Sequence, residues 1–274
     1  MVDPYQGYAL RWQMSDPVGA TELDMSSIAP NPISTDIRGR EKLIVALDCP
    51  TPAAALNLVE KLGDEVIFYK VGWRLFLKGG MHIVSELRDR GKDVFLDLKM
   101  DDIAETIETA VESIRDDAML LTLQGTTATV KAAVKGRGER PFPKFLTVTL
   151  LSSLNEKDLG EMLSVTGVEV TADLMNRYIL NRAERVLEAG SEGLIASGQS
   201  IKMIRDHFGP GPIIVSPGIR PAGSADQDHK RPNTPKSAIA AGADYLVVGR
   251  PIWQAHDELE AARAILAEID EACR

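Results

Sequence analysis

The ten residues Asp97-Leu98-Lys99-Met100-Asp101-Asp102-Ile103-Ala104-Glu105-Thr106 hold the densest set of reactive groups in this 274-residue chain. An apolar run, Val94-Phe95-Leu96, leads straight into an acid, a base and two more acids, then into a helical pattern. Side chains two apart on a strand share a face, so Asp97 and Lys99 are expected to point the same way, above Phe95. An ammonium between carboxylates contributes little stability when fully exposed. In a partly desolvated pocket the same groups shift one another's proton affinity and offer fixed charge to a substrate. The pattern reads as acid–base or electrostatic chemistry at a strand end.

Such groups need a scaffold that gathers strand ends. Apolar runs recur at 43–47, 66–69, 94–99, 118–121, 145–150, 193–196, 213–215 and 245–248. They lack polar alternation, which suggests strands covered on both faces. Helical patterns are expected at 51–62, from 73 to 90, at 103–114, at 171–187 and at 252–272, several closed by glycine. Strands alternating with helices imply a parallel sheet with crossovers. Eight such units in about 235 residues match a (β/α)8 TIM barrel. An open doubly wound sheet fits less well, because Asp48-Cys49-Pro50-Thr51 after the first strand lacks a glycine fingerprint. Residues 1–39 are rich in Asp, Pro, Ser and Gly and show no sustained period, so they are expected to form an extension. Residues 40–274 would form the barrel.

A barrel's site lies at the C-terminal ends of its strands. Asp48, Lys70, Asp97 and Lys99 end the first three runs, and Gly249-Arg250 follows the eighth. Loops after strands seven and eight often hold phosphate in this fold, and the planar guanidinium of Arg250 suits that ligand. The polar stretch 222–234 after strand seven is longer than a simple connection needs and is expected to act as a lid over an anion.

The totals exclude several classes. A net charge of −9 and a pI near 5.1 argue against nucleic acid and anionic membranes as partners. The two cysteines, Cys49 and Cys273, offer no disulfide framework or zinc spacing, which suits a reducing cytoplasm. No apolar run approaches the roughly 20 residues of a membrane span, and the N-terminus has no secretory signal pattern. His82, His207, His229 and His256 fall in different units with no metal-ligand spacing, so no metal site is expected.

From about Lys42 onward the chain resembles orotidine 5′-monophosphate decarboxylase. The residues that carry the likeness are Ala46-Leu47-Asp48, Tyr69-Lys70-Val71-Gly72, Asp97-Leu98-Lys99 with Asp102-Ile103 and Thr106, Pro217-Gly218-Ile219-Arg220-Pro221, and Val248-Gly249-Arg250-Pro251-Ile252. The resemblance implies a cofactor-free homodimer with shared sites that converts orotidine 5′-monophosphate to UMP. Lys70, Asp97, Lys99 and Asp102 would form a charged network, Asp102 coming from the second subunit. Lys99 would protonate C6 of the pyrimidine, and Asp97 would sit against the departing carboxylate. Asp48 and Lys70 would hold the ribose, joined by Thr106 from the partner. Ser153 would meet the pyrimidine edge and Arg250 the phosphate, with Ile103, Pro217, Arg220 and Gly249 completing the binding set. The lid glutamine of the family aligns with His229, and Gln227 lies two residues earlier.

The chain departs from the family pattern at three places. Ala104-Glu105 stands where Pro-Asn is usual, Gln124-Gly125 replaces a His-Ala pair, and His229 replaces the lid glutamine. Two other readings follow. One is a magnesium-dependent sugar-phosphate decarboxylase or synthase of the same superfamily. The other is a paralogue that binds nucleotide without turnover.

Overall fold

The computed structural model describes residues 39–151, 154–163, 170–221 and 233–274. Most of the expected extension, residues 1–38, lies outside the described residues, as do most of the expected lid, Ser153, Gln227 and His229. Eight parallel strands close into a barrel in sequence order, each paired with its neighbours and the first with the last. They are β1 (Leu43–Ala46), β2 (Phe68–Gly72), β3 (Asp93–Met100), β4 (Leu120–Leu123), β5 (Lys144–Val148), β6 (Gly193–Ile195), β7 (Ile213–Ser216) and β8 (Tyr245–Val248). With a helix following each strand, this is the (β/α)8 TIM barrel.

The register shows which side chains share the inner face. Ile44 pairs with Phe68, Ala46 with Lys70, Lys70 with Phe95 and Gly72 with Asp97. Phe95 in turn pairs with Leu120, and Val148 with Ile195. Phe68 and Tyr245 meet edge to face, their ring centroids 5.7 Å apart. Alternate residues such as Val45, Tyr69, Val94, Leu96 and Leu121 belong to the outer core, together with helix residues such as Leu58, Leu62, Val84, Leu87 and Val111. Burying each such aliphatic side chain contributes about 1.5–3 kcal/mol. Two covered faces explain why the strands read as unbroken apolar runs.

The helices are α1 (Pro52–Leu62), α2 (Trp73–Asp89), α3 (Ala104–Ile114), α4 (Thr127–Arg137), α5 (Glu156–Leu163), α6 (Ala172–Glu188), α7 (Gln199–Phe208), α8 (Pro235–Ala240), α9 (Arg250–Trp253) and α10 (Glu258–Ala272). Their starts follow the chemistry of unsatisfied backbone N–H groups. Thr51 accepts from Ala54 N, Thr171 from Leu174 N, and Thr126 and Thr234 form capping boxes. The helix expected at 252–272 is in fact two. Asp257 caps a new start by accepting from Glu260 N, so α9 ends at Trp253 and α10 begins at Glu258. The polar stretch before α6 contains the short helix α5, whose one buried residue is Leu159. Among the described residues no helix is long and apolar enough to cross a membrane.

Candidate active site

The third strand does not run regularly to its end. Its register against β4 shifts between Leu96 and Met100, so three residues of β3 stand opposite one of β4. Lys99 adopts φ +48° within this bulge. A lysine in the left-handed region costs about 1–2 kcal/mol, so surrounding contacts must hold it there. The expected sharing of a face by Asp97 and Lys99 therefore comes about differently. Asp97 continues the inner face, whereas Lys99 leaves the ladder and returns its ammonium to Asp97 Oδ1 at 2.7 Å.

Four charges alternate across the first three strands. Lys70 Nζ lies 3.4 Å from Asp48 Oδ1 and 3.6 Å from Asp97 Oδ2, and Lys99 Nζ contacts the other oxygen of Asp97. Lys70 is buried. Gly72 makes room for it, since a Cβ there would come within 2.9 Å of Lys70 Nζ. Burial alone would raise the pKa of Asp97. The nearby Lys70 and Lys99 charges, with hydrogen bonds from Lys99 and Thr122, outweigh it and hold the carboxyl below its ordinary range. Asp97 is thus a carboxylate at neutral pH. Cys49, beside Asp48, is pushed the other way, by burial first and the Asp48 charge second, so it is a protonated thiol rather than a nucleophile.

Beside this network is a cavity of about 150 Å³. Lys70, Asp97 and Lys99 form one side, and Val148, Ile195, Val215 and Val247 are among the apolar residues of the rest. It adjoins a second cavity of about 470 Å³ between the ends of β5, β6 and β7, and the two share Leu150, Ser197 and Pro217. The larger one falls in the usual size range for a small-molecule site.

Pro217 lines both cavities. Arg220 is buried, with its backbone N–H on Asn233 O and its Nη1 on Ile219 O. Gly249 is the N-cap of α9, and Arg250 is its first residue. A Cβ on Gly249 would stand 3.7 Å from Asp48 Oδ2, which puts the end of β8 against the end of β1. Asp102, Ile103 and Thr106 stand apart from the network of their own chain. Residues 101–106 are all exposed, Ile103 by 71%. Asp102 Oδ1 accepts from Ile103 N at 2.7 Å, next to the start of α3. His82 is exposed on α2 and His256 between α9 and α10. Among the described residues, no three His, Cys, Asp or Glu side chains gather to hold a metal ion.

One inward group was absent from the sequence-based set. Thr122, fully buried on β4, donates to Asp97 Oδ1 at 2.9 Å and accepts from Lys99 N at 2.8 Å. Its signal was a single polar residue between the apolar run 118–121 and Leu123.

A family model described as the Orotidine 5'-phosphate decarboxylase / HUMPS family matches residues 41–265. The chain belongs to this family. It is 45% identical over 238 residues to an orotidine 5'-phosphate decarboxylase of Rhodopseudomonas palustris, covering 86% of this chain and 98% of that one. It is 46% identical to the enzyme of the same name from Bradyrhizobium diazoefficiens, with 86% and 97% covered. Among solved structures, the orotidine 5'-phosphate decarboxylase of Lactobacillus acidophilus is similar with a TM-score of 0.71 and 31% identity, covering 83% of this chain and 98% of that one. An uncharacterized conserved protein from Geobacillus kaustophilus is similar with a TM-score of 0.70 and 27% identity, covering 83% and 99%. The family match spans all eight strands, and the charged network is built from three of them.

Proposed function

We propose that this protein decarboxylates orotidine 5′-monophosphate to UMP, a step of pyrimidine biosynthesis. The observation that carries the reading is the alternating row Asp48, Lys70, Asp97, Lys99 at the mouth of a barrel of this family. In the reaction the bond from C6 to the carboxylate breaks, carbon dioxide leaves, and the electron pair remains on C6. The Lys99 ammonium stabilises that charge and then donates its proton to C6. A preorganised ammonium in a sheltered site acts without solvent reorganisation. Asp97, held ionised, faces the substrate carboxylate. The apolar side of the smaller cavity suits neutral carbon dioxide better than the anion that precedes it.

Asp48 and Lys70 hold the ribose hydroxyls, Arg250 the phosphate, and Ser153 the pyrimidine edge. Ile103, Pro217, Arg220, Gly249 and either Gln227 or His229 complete the binding set. Binding energy from the phosphate then serves the reacting centre. The working form is a cytoplasmic homodimer of barrels, each spanning 40–274, with 1–39 as an extension. Asp102 and Thr106 reach the partner's site. The exposure of 101–106, with apolar Ile103 among them, supports that interface. No metal or organic cofactor takes part, because the two lysines supply the positive charge.

The test follows the ultraviolet absorbance of orotidine 5′-monophosphate offered to purified protein in a chelating buffer. The expected result is loss of the orotate band with wild type and none with Lys99→Ala. A wild-type protein that leaves the spectrum unchanged refutes the assignment.

A further inference from the structure

We propose that Thr122 is a positioning residue of the reaction, its hydroxyl fixing both the Asp97 carboxylate and the bulge that presents Lys99; this rests on the decarboxylase reading above. Three observations lead there. Thr122 is completely buried, so its hydroxyl has no water to bond. The hydroxyl is used twice, as donor to Asp97 Oδ1 at 2.9 Å and as acceptor from the Lys99 backbone N–H at 2.8 Å. It also sits opposite the three extra-spaced residues where the β3–β4 register slips. A parallel ladder that slips there leaves the Lys99 N–H without its ordinary carbonyl, and a buried orphan N–H is costly. The side chain supplies the acceptor that the neighbouring strand cannot.

Lys99 at φ +48° is thereby held in a conformation it would otherwise leave. The same hydroxyl selects one orientation of Asp97, with Oδ1 shared between Thr122 and Lys99 and Oδ2 turned toward Lys70. The groups facing Asp97 are thus Lys70 from β2, Lys99 from β3 and Thr122 from β4, with Asp48 of the β1 end beyond Lys70. Valine has the shape of threonine without the donor or acceptor, and serine retains both. Thr122 touches the charged pair rather than the substrate, so its loss is expected in turnover and not in affinity.

The experiment compares wild type, Thr122→Val and Thr122→Ser in kcat, KM, UMP affinity and thermal midpoint. It also titrates the Asp97 carboxyl by carbon-13 NMR in ligand-free protein. Thr122→Val should lower kcat about 10- to 100-fold, the range for losing a hydrogen bond to a charged group. KM and UMP affinity should stay within about twofold of wild type, because uniform binding is untouched. Thr122→Ser should recover most of kcat. The Asp97 titration should move to higher pH in Thr122→Val, since one of the bonds favouring its ionised form is gone. Should Thr122→Val fail to fold, Thr122→Ala removes the same hydroxyl without adding bulk and carries the same expectations.

The proposal is overturned by wild-type kcat in the valine or alanine variant, by equal damage in valine and serine variants, or by UMP affinity falling in step with kcat. A wild-type protein inactive on orotidine 5′-monophosphate refutes the decarboxylase reading instead. The Asp97 titration needs no substrate, and an unchanged value in Thr122→Val overturns the role of Thr122 by itself.

Discussion

Replacing Asp97 with asparagine keeps the shape of the side chain and an acceptor for Thr122, and removes one charge from between two lysines. The size of the effect comes from the geometry. At 2.7 Å from Lys99 and 3.6 Å from Lys70, each pair is worth roughly 5 kcal/mol before desolvation at an effective dielectric near 20. Desolvation of the carboxylate cancels much of this, and breaking one partner of a buried pair typically costs about 3–5 kcal/mol. The side chains here retain 15% exposure at Asp97, 11% at Lys70 and 33% at Lys99. Screening at that exposure brings the expected loss to about 2–3 kcal/mol, a fall in Tm of roughly 5–10 °C for a chain of this size.

The pH dependence has a definite sign. The Asp97 carboxyl is held below its ordinary range in the folded protein. Its contribution is therefore fully present above the unfolded value of about 3.9 and disappears as pH falls through the lower folded value. Urea unfolding of wild type and Asp97→Asn at matched protein concentration should give a constant difference from pH 5 to 8. That difference should narrow below about pH 4 as wild type loses its advantage. Equal stability at neutral pH, or a gap that widens on acidification, would refute the argument that the two lysines stabilise this carboxylate.

Two further outcomes are expected. Mixing inactive Lys99→Ala and Asp102→Ala proteins should restore activity through one hybrid site that carries neither change; absence of recovery after demonstrated subunit exchange would refute the shared site. Gly125→Ala should lower stability by about 1–3 kcal/mol through overpacking, because a Cβ there meets Thr129 Oγ1 at 2.0 Å and Asp101 Oδ1 at 2.2 Å. An unchanged thermal midpoint would show that the loop relaxes freely, although Arg182 fastens it by donating to the carbonyl oxygens of Gln124 and Gly125.

The Gln124-Gly125 departure is informative in this light. Here the backbone carbonyls of both residues take hydrogen bonds from Arg182 of α6, bonds that do not depend on either side chain. Ala104, the other departure, is the first residue of α3, so that helix begins without a proline and with Ile103 as an N-cap that makes no side-chain bond. Neither change touches the four-charge row.

The barrel was legible in the chain because its strands are covered on both faces. That forces unbroken apolar runs, and the polar residues ending them mark the mouth. Asp48, Lys70, Asp97 and Lys99 could be named for the same reason. Boundaries were less legible where local chemistry competes with periodicity. Asp257 divides the last helix with a cap that a hydrophobic pattern does not register. Shortness hid α5, which spans only Glu156–Leu163 and buries only Leu159.

By itself, the sequence determined which charged side chains arrive at strand ends, since alternation and strand length are local properties. Tertiary structure alone decided how those charges are held. The slip between β3 and β4, the left-handed backbone of Lys99 and the two bonds of Thr122 depend on the pairing of residues 23 and 25 positions apart. Strand register is set by packing around the closed barrel, and no local pattern in either strand encodes it.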